Sequence, residues 1–191
     1  MKRKKVIVAL GSPRKKGNTA MLAARLVEGV QSMGGEHELL FLQRMNIAAC
    51  SACDKCQGSM DSYCVIKDDM EPLYPEILEA GALVFASPIY WFSVSAQTKV
   101  FMDRLYAFLG PRGNRLKDKH IGILLSYGDT DPYTSGAVNA IRTFQDAFSY
   151  IGAPIEGVVY GSAMDAGDIE KCPEVLEAAY KLGTKLVSSI A

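Results

Sequence analysis

The chain has no surplus of either charge. Lys and Arg number 21 against 21 Asp and Glu in 191 residues, so nothing points to nucleic acid or to an acidic surface as a partner. Nor does it have a long hydrophobic run. No stretch nears the roughly 20 apolar residues of a membrane-spanning helix. The apolar run after the basic residues 2–5 is only Val6–Leu10, too short for a signal-peptide core before Gly11-Ser12-Pro13 breaks it. These absences predict a cytoplasmic protein with no membrane partner, and the basic run reads as a solvated lead-in to the first strand. Histidine is scarce too: His37 and His120 both fall in strand contexts, with no evident metal partner.

What is present is a regular alternation of strand and helix signals. Strands are predicted over 4–10, 36–42, 81–88, 119–127 and 153–163, the last weakened by Gly157. Helices are predicted over 18–33, about 69–80 with Asp68 as N-cap, 95 to about 108 with Ser95 as N-cap, about 134–150, and 173–189 opened by Pro173. Five such repeats without a linker argue for one α/β domain over 1–191, with a parallel sheet covered by helices on both faces. The one long insertion is a cysteine-rich loop at about 43–67, and long loops inside compact domains tend to be functional.

Gly11–Ala20, GSPRKKGNTA, joins the first strand to the first helix. Ligands of open α/β sheets bind at the carboxyl ends of the strands, and free N–H groups at a helix start attract anions. Ser12, Asn18 and Thr19 offer side-chain hydrogen bonds, Arg14, Lys15 and Lys16 offer charge, and Gly17 leads into the helix. The loop is not a Walker A motif, because five residues separate its glycines and Asn18 follows. The dinucleotide fingerprint G-x-G-x-x-G is also missing. A terminal phosphate monoester is the expected ligand; the alternative is a plain turn with Asn18 or Thr19 as cap. At the end of the third strand, Pro88, Ile89, Tyr90, Trp91 and Phe92 offer flat apolar surface suited to a heteroaromatic ring, or else form a core cluster.

Cys50, Cys53, Cys56 and Cys64 hold four of the five thiols in the spacing C-x2-C-x2-C-x7-C. A disulfide staple is disfavoured in a reducing compartment. Structural zinc usually takes two separated pairs, whereas a compressed triplet is the ferredoxin pattern for an iron–sulfur cubane. Zinc and free thiols remain open alternatives. Gly58 and Ser59 supply flexibility to bring Cys64 round, and Cys172 reads as an ordinary buried or half-buried thiol.

The ordered set GSPRKKGNT, CVIKDDM (64–70) and SPIYWFSVSAQTKVFMDR (87–104), with SYGDTDPYTSGA (126–137), resembles the NADPH-dependent FMN reductase superfamily, and within it the iron–sulfur flavoprotein branch. That resemblance implies a flavodoxin-like three-layer sandwich with strand order 2-1-3-4-5 and FMN at the switch point. It implies that Ser12, Arg14, Asn18 and Thr19 hold the FMN phosphate, that residues 88–92 lie along the isoalloxazine, and that Tyr127, Gly128 and Asp129 close its other side. Asp129 departs from the Gly-Gly of many simple FMN reductases. Lys99, Asp103 and Arg104 match the family pattern, with surface ion pairing as the alternative reading. The four cysteines would carry a [4Fe–4S] cluster. The implied protein is an oxidoreductase that couples a one-electron donor such as ferredoxin to two-electron reduction of a small acceptor. It would assemble as a homodimer or homotetramer, and no catalytic acid–base pair is expected beyond the flavin. Two alternatives are a cluster-free NAD(P)H-dependent FMN or quinone reductase, and a flavodoxin-like carrier without turnover. Carriers of that kind are typically acidic, and this chain is neutral.

Overall fold

The computed structural model describes residues 4–58, 60 and 63–190. Its centre is a sheet of five parallel strands, β1 (Lys5–Leu10), β2 (Glu36–Phe41), β3 (Ala82–Tyr90), β5 (His120–Tyr127) and β6 (Ile155–Ser162). They lie in the order β2-β1-β3-β5-β6. Counting these strands alone, that is the expected 2-1-3-4-5, the flavodoxin-like order. The expectation of five strands missed one. β4 (Ser93–Val94) folds back on the end of β3, antiparallel, pairing Ile89 with Val94 and Tyr90 with Ser93. Two residues are too few to leave a periodic signal, and this strand exists because β3 runs on beyond its parallel neighbours.

Side chains alternate across the sheet and build two cores. Ile7, Ala9, Phe85, Ile123 and Leu125 face α3 (Met70–Glu79), α4 (Ala96–Arg104) and α5 (Ala137–Ile151). Val6, Val8, Leu10, Val84, Ala86 and Leu124 face α1 (Asn18–Ser32) and α6 (Pro173–Ser189). The result is the three-layer sandwich. β1 and β3 are apolar almost throughout because both of their faces are covered, whereas the edge strand β2 carries Glu36, His37 and Glu38.

Several boundaries differ from expectation for local reasons. The third predicted helix is α4 followed by a 3-10 turn over Leu105–Leu109. The fourth begins at Ala137, not at 134. Asp131 first turns the chain by accepting the N–H groups of Tyr133 (2.7 Å) and Thr134 (3.0 Å), and Gly136 then stands at φ 77° as the helix enters. Asp68 lies one residue before the N-cap position of α3, yet its carboxylate still accepts the Met70 N–H at 3.0 Å. In the cysteine loop a single helical turn, α2 (Lys55–Gly58), contains Cys56. The expectation placed on Ser59 lies outside the described residues.

Candidate functional site

The carboxyl ends of β1, β3 and β5 meet the start of α1, and a cleft of about 270 Å³ opens there. Ser12, Arg14, Gly17, Asn18, Thr19, Pro88, Ile89, Tyr90, Tyr127 and Gly128 line it. A second cleft of about 300 Å³ shares Ile89, Tyr127 and Gly128 with the first, and adds Trp91, Phe92 and Asp129. The structure therefore brings all but two of the candidate ligand-binding residues to two adjoining hollows. The exceptions are Lys15 and Lys16, which are exposed and line neither.

The first hollow suits a phosphate. Met21 donates to the Gly17 carbonyl at 3.1 Å, so the N–H groups of residues 18–20 have no partner inside the helix and face its N-terminus. Ser12 is buried, and its hydroxyl accepts the Arg14 N–H at 3.2 Å, which shapes the loop; the Arg14 side chain is exposed at its rim. Thr19 and Ser126 hydroxyls lie 2.6 Å apart. Asn18 does something other than the direct contact expected of it. Its amide nitrogen donates to the carbonyls of Ala163 (3.0 Å) and Asp165 (2.8 Å), and its oxygen accepts the N–H groups of Gly167 (2.9 Å) and Ile169 (3.3 Å). All four of its hydrogen-bonding positions hold the 163–169 segment over the cleft.

That segment supplies residues the sequence reading missed. Ala163 and Met164 line the first hollow and Met164 also the second, where Thr134 and Ser135 of the 126–137 stretch join it. Met164 touches the strand-end loop closely, since a Cβ at Gly128 would stand 2.7 Å from its sulfur. Nothing in the local sequence marks Ala163 and Met164, because they reach the site only through the fold.

The aromatic wall of the second hollow is a tight hairpin. Trp91 and Phe92 are its two turn residues, at φ 49° and 64°. Two left-handed residues are what a type I′ turn requires, and Asn or Gly normally fill it. Here bulky aromatics are held there at a cost of about 1–3 kcal/mol each. Asn139 donates to the Phe92 carbonyl at 3.2 Å, and Gly136 comes so near that a Cβ would lie 2.6 Å from the Phe92 Cα. Behind the hairpin, Ser95 caps α4 as expected, accepting the Thr98 N–H at 3.3 Å, and donates to the Gly11 carbonyl at 2.8 Å. The hairpin, α4 and the phosphate loop are thus tied together. Trp91 remains 93% exposed, so the strained turn holds an aromatic face out to solvent at the cleft.

The cysteine loop lies at the other end of α4. Cys50 and Cys53 are exposed, Cys56 and Cys64 half-buried, and all are free thiols. Four thiols are a fitting donor set for a cubane or zinc. Between the first three, Ala52 (φ 51°) and Asp54 (φ 53°) adopt left-handed backbone. Hydrogen bonding from the Lys55 N–H, and from Ser51, holds the Cys53 thiol below its ordinary pKa. Among the described residues, however, no three Cys, His, Asp or Glu side chains converge as a metal-binding group. Cys172 is half-buried, its sulfur 3.9 Å from the Ser162 carbonyl, and His120 pairs with Glu156 at 2.7 Å.

Lys99 and Asp103 form an exposed pair one turn apart at 2.6 Å, whereas Arg104 is buried with Asp68. Burial opposes the Asp68 charge, but Arg104 and the N–H groups of Ala48 and Met70 outweigh it and hold the carboxyl below its ordinary value.

Comparison with known proteins agrees with this architecture. A family model described as NADPH-dependent FMN reductase matches residues 4–161. An iron–sulfur flavoprotein of Archaeoglobus fulgidus is 34% identical over 189 residues, covering 97% of this chain and 80% of that one. A Bacillus subtilis protein named as the NAD(P)H-dependent FMN-containing oxidoreductase YwqN is 31% identical over 182 residues, covering 93% and 96%. Among solved structures, an NAD(P)H:quinone oxidoreductase from Methanothermobacter marburgensis has the same fold. It superposes with a TM-score of 0.77 at 22% identity, covering 95% of each chain.

Proposed function

This chain belongs to the NADPH-dependent FMN reductase family, and from that premise we propose that it is an iron–sulfur flavoprotein. It is a flavin-dependent oxidoreductase that uses FMN. In the proposed reading it passes electrons from a one-electron donor such as ferredoxin, or from NAD(P)H, to a small acceptor. The observation that carries the flavin part is the pair of adjoining hollows at the carboxyl ends of the strands. One ends on the free amides of α1, and the other on an aromatic wall.

Ser12, Arg14, Thr19 and the first-turn amides of α1 hold the phosphate, with Lys16 adding charge from outside the cleft. Gly17 lets the loop close onto the helix, and Asn18 holds the 163–169 segment as the cover. Pro88, Ile89, Tyr90, Trp91 and Phe92 lie along one side of the ring, and Tyr127, Gly128 and Asp129 along the other. Cys50, Cys53, Cys56 and Cys64 are the ligands of a [4Fe–4S] cluster. Their spacing and the Archaeoglobus relative's name support this assignment. When bound, FMN takes electrons singly or as a hydride, and a cubane passes them one at a time. A homodimer or homotetramer follows from the same family reading.

The Bacillus relative's name favours a second reading, a cluster-free NAD(P)H-dependent FMN or quinone reductase. Anaerobic purification separates the two. Equimolar FMN with iron and sulfide at about four each per chain, and broad absorbance beyond the flavin bands, is the expected result. Full FMN with zinc or no metal, and rapid NAD(P)H oxidation, would replace the first reading by the second.

A further inference from the structure

Arg104 is the largest side chain in the fully buried set, with 1% of its side chain exposed, and it lies far from the flavin hollows at the carboxyl end of α4. Its guanidinium makes a fork to Asp68: one terminal nitrogen bonds Oδ2, and the other bonds Oδ1 at 3.1 Å. The first nitrogen also donates to the Ala48 carbonyl at 2.8 Å. Ala48 returns its own N–H to Asp68 at 2.9 Å. Next to this, Asp69 accepts the Asn46 N–H at 2.7 Å and donates its own N–H to the Asn46 carbonyl at 3.1 Å. Residues 46–48 and 68–69 are the two stems of the cysteine loop. They are zipped together, and the Arg104 fork closes the zip from below.

A pair of charges buried this deeply is an expensive way to add stability alone, because desolvation offsets most of the attraction. What the pair adds is geometry: a planar fork admits one orientation of its partner. The rest of the loop is seated on the elements around Arg104. Tyr74 donates to the Arg104 carbonyl at 3.4 Å, and its ring stacks on Tyr63 at 5.1 Å, one residue before Cys64. Gln57, next to Cys56, donates to the Tyr106 carbonyl at 3.3 Å. One buried side-chain nitrogen or oxygen among the described residues has no hydrogen-bond partner, and it is the Nε of this same Arg104. A donor left open at the base of a thiol-bearing loop suits an acceptor such as sulfur.

We propose that Arg104 and Asp68 are positioning residues for the cysteine loop. Their fork clasps its two stems and seats Cys56 and Cys64 before any metal is bound. Their role toward a ligand set rests on the cluster reading above; the clasp itself does not.

The test uses the full-length, FMN-loaded, metal-free protein, with N-ethylmaleimide labelling of each cysteine followed by mass spectrometry. In the wild type, Cys56 and Cys64 should react at least tenfold more slowly than Cys50 and Cys53. In Arg104→Gln and Asp68→Asn that protection should fall at least fivefold, while Cys172, remote from the loop, changes less than twofold. Arg104→Lys, which keeps the charge and loses the fork, should fall between. Protection within twofold of wild type in Arg104→Gln and Asp68→Asn overturns the clasp. Should both variants lose FMN, hydrogen exchange in the wild type decides: the Ala48 and Asp69 amides should exchange at least tenfold more slowly than those of Cys50 and Ser51, and equal rates overturn the proposal. Reconstitution with ferrous iron and sulfide gives the second readout, with occupancy at least threefold lower in Arg104→Gln. A wild type that takes up no iron removes the cluster reading and leaves the labelling pattern to judge the clasp.

Discussion

Asn18 shows at the residue scale how one side chain can be legible in kind and not in role. The sequence places it in the phosphate loop, and the fold uses its amide to hold a segment some 145 residues away. Removing it leaves four backbone groups short of a partner. Asn18→Ala should lower stability by about 2–4 kcal/mol, read as a lower urea midpoint at unchanged slope, and weaken FMN binding with it. A loss under about 0.5 kcal/mol would mean that the 163–169 segment is held by other means. Gly136 is a second case. It stands at φ 77° with the Phe92 backbone where its Cβ would be, so alanine meets both backbone strain and a clash. Gly136→Ala should cost about 1–3 kcal/mol and displace the Trp91–Phe92 turn, seen as a change in Trp91 fluorescence. The sequence places this glycine in the first turn of the helix predicted from about 134 and gives no sign of Phe92, which lies 44 positions earlier.

At the scale of elements, α1 and α6 approach so closely that their glycines interlock. A Cβ at Gly29 would lie 2.1 Å from the Tyr180 carbonyl oxygen, and one at Gly183 2.1 Å from that of Leu26. Gly29→Ala and Gly183→Ala should therefore each destabilise by about 1–3 kcal/mol through forced separation of the helices, although alanine is the better helix former. Chemical denaturation of the two variants would show it, and a stabilised variant would contradict the packing. The helices themselves were readable from the spacing of Leu22, Leu26 and Val30, or of Leu182 and Leu186, because burying one face repeats every three or four residues. β4 and the late start of α5 were not readable from periodicity: β4 follows a turn held by the tertiary neighbours Asn139 and Gly136, and α5 waits on the local turn that Asp131 makes.

For the whole molecule, ligand and pH give two further expectations. FMN binds the folded chain alone, so FMN at 100 times its dissociation constant should add about 2.7 kcal/mol. That corresponds to a rise in Tm of roughly 5–11 °C for a chain of this size, and calorimetry with and without FMN would measure it. Burial pushes the Glu156 carboxyl up, but hydrogen bonds from His120 and Lys185 outweigh it and hold the group below its ordinary value, as Arg104 does for Asp68. A carboxyl lowered by folding contributes stability above its unfolded pKa and loses it as pH falls through the folded value. The urea midpoint should thus fall as pH drops below about 4, and Glu156→Gln should flatten part of that fall.

The sequence by itself determined the alternation of elements, the parallel sheet and its two apolar cores, the position of the phosphate loop and the spacing of the thiols. Each of these is written in local periodicity or in residues close together in the chain, where the governing forces act over a few bonds or one helical turn. Only the tertiary structure decided that Asn18 holds the 163–169 segment, that Met164 faces the cleft, and that Asp68 and Arg104 close the cysteine loop from 36 positions apart. Those contacts depend on where distant stretches of backbone come to rest. Hydrogen bonds and buried charges then select among side chains that the sequence shows only as polar.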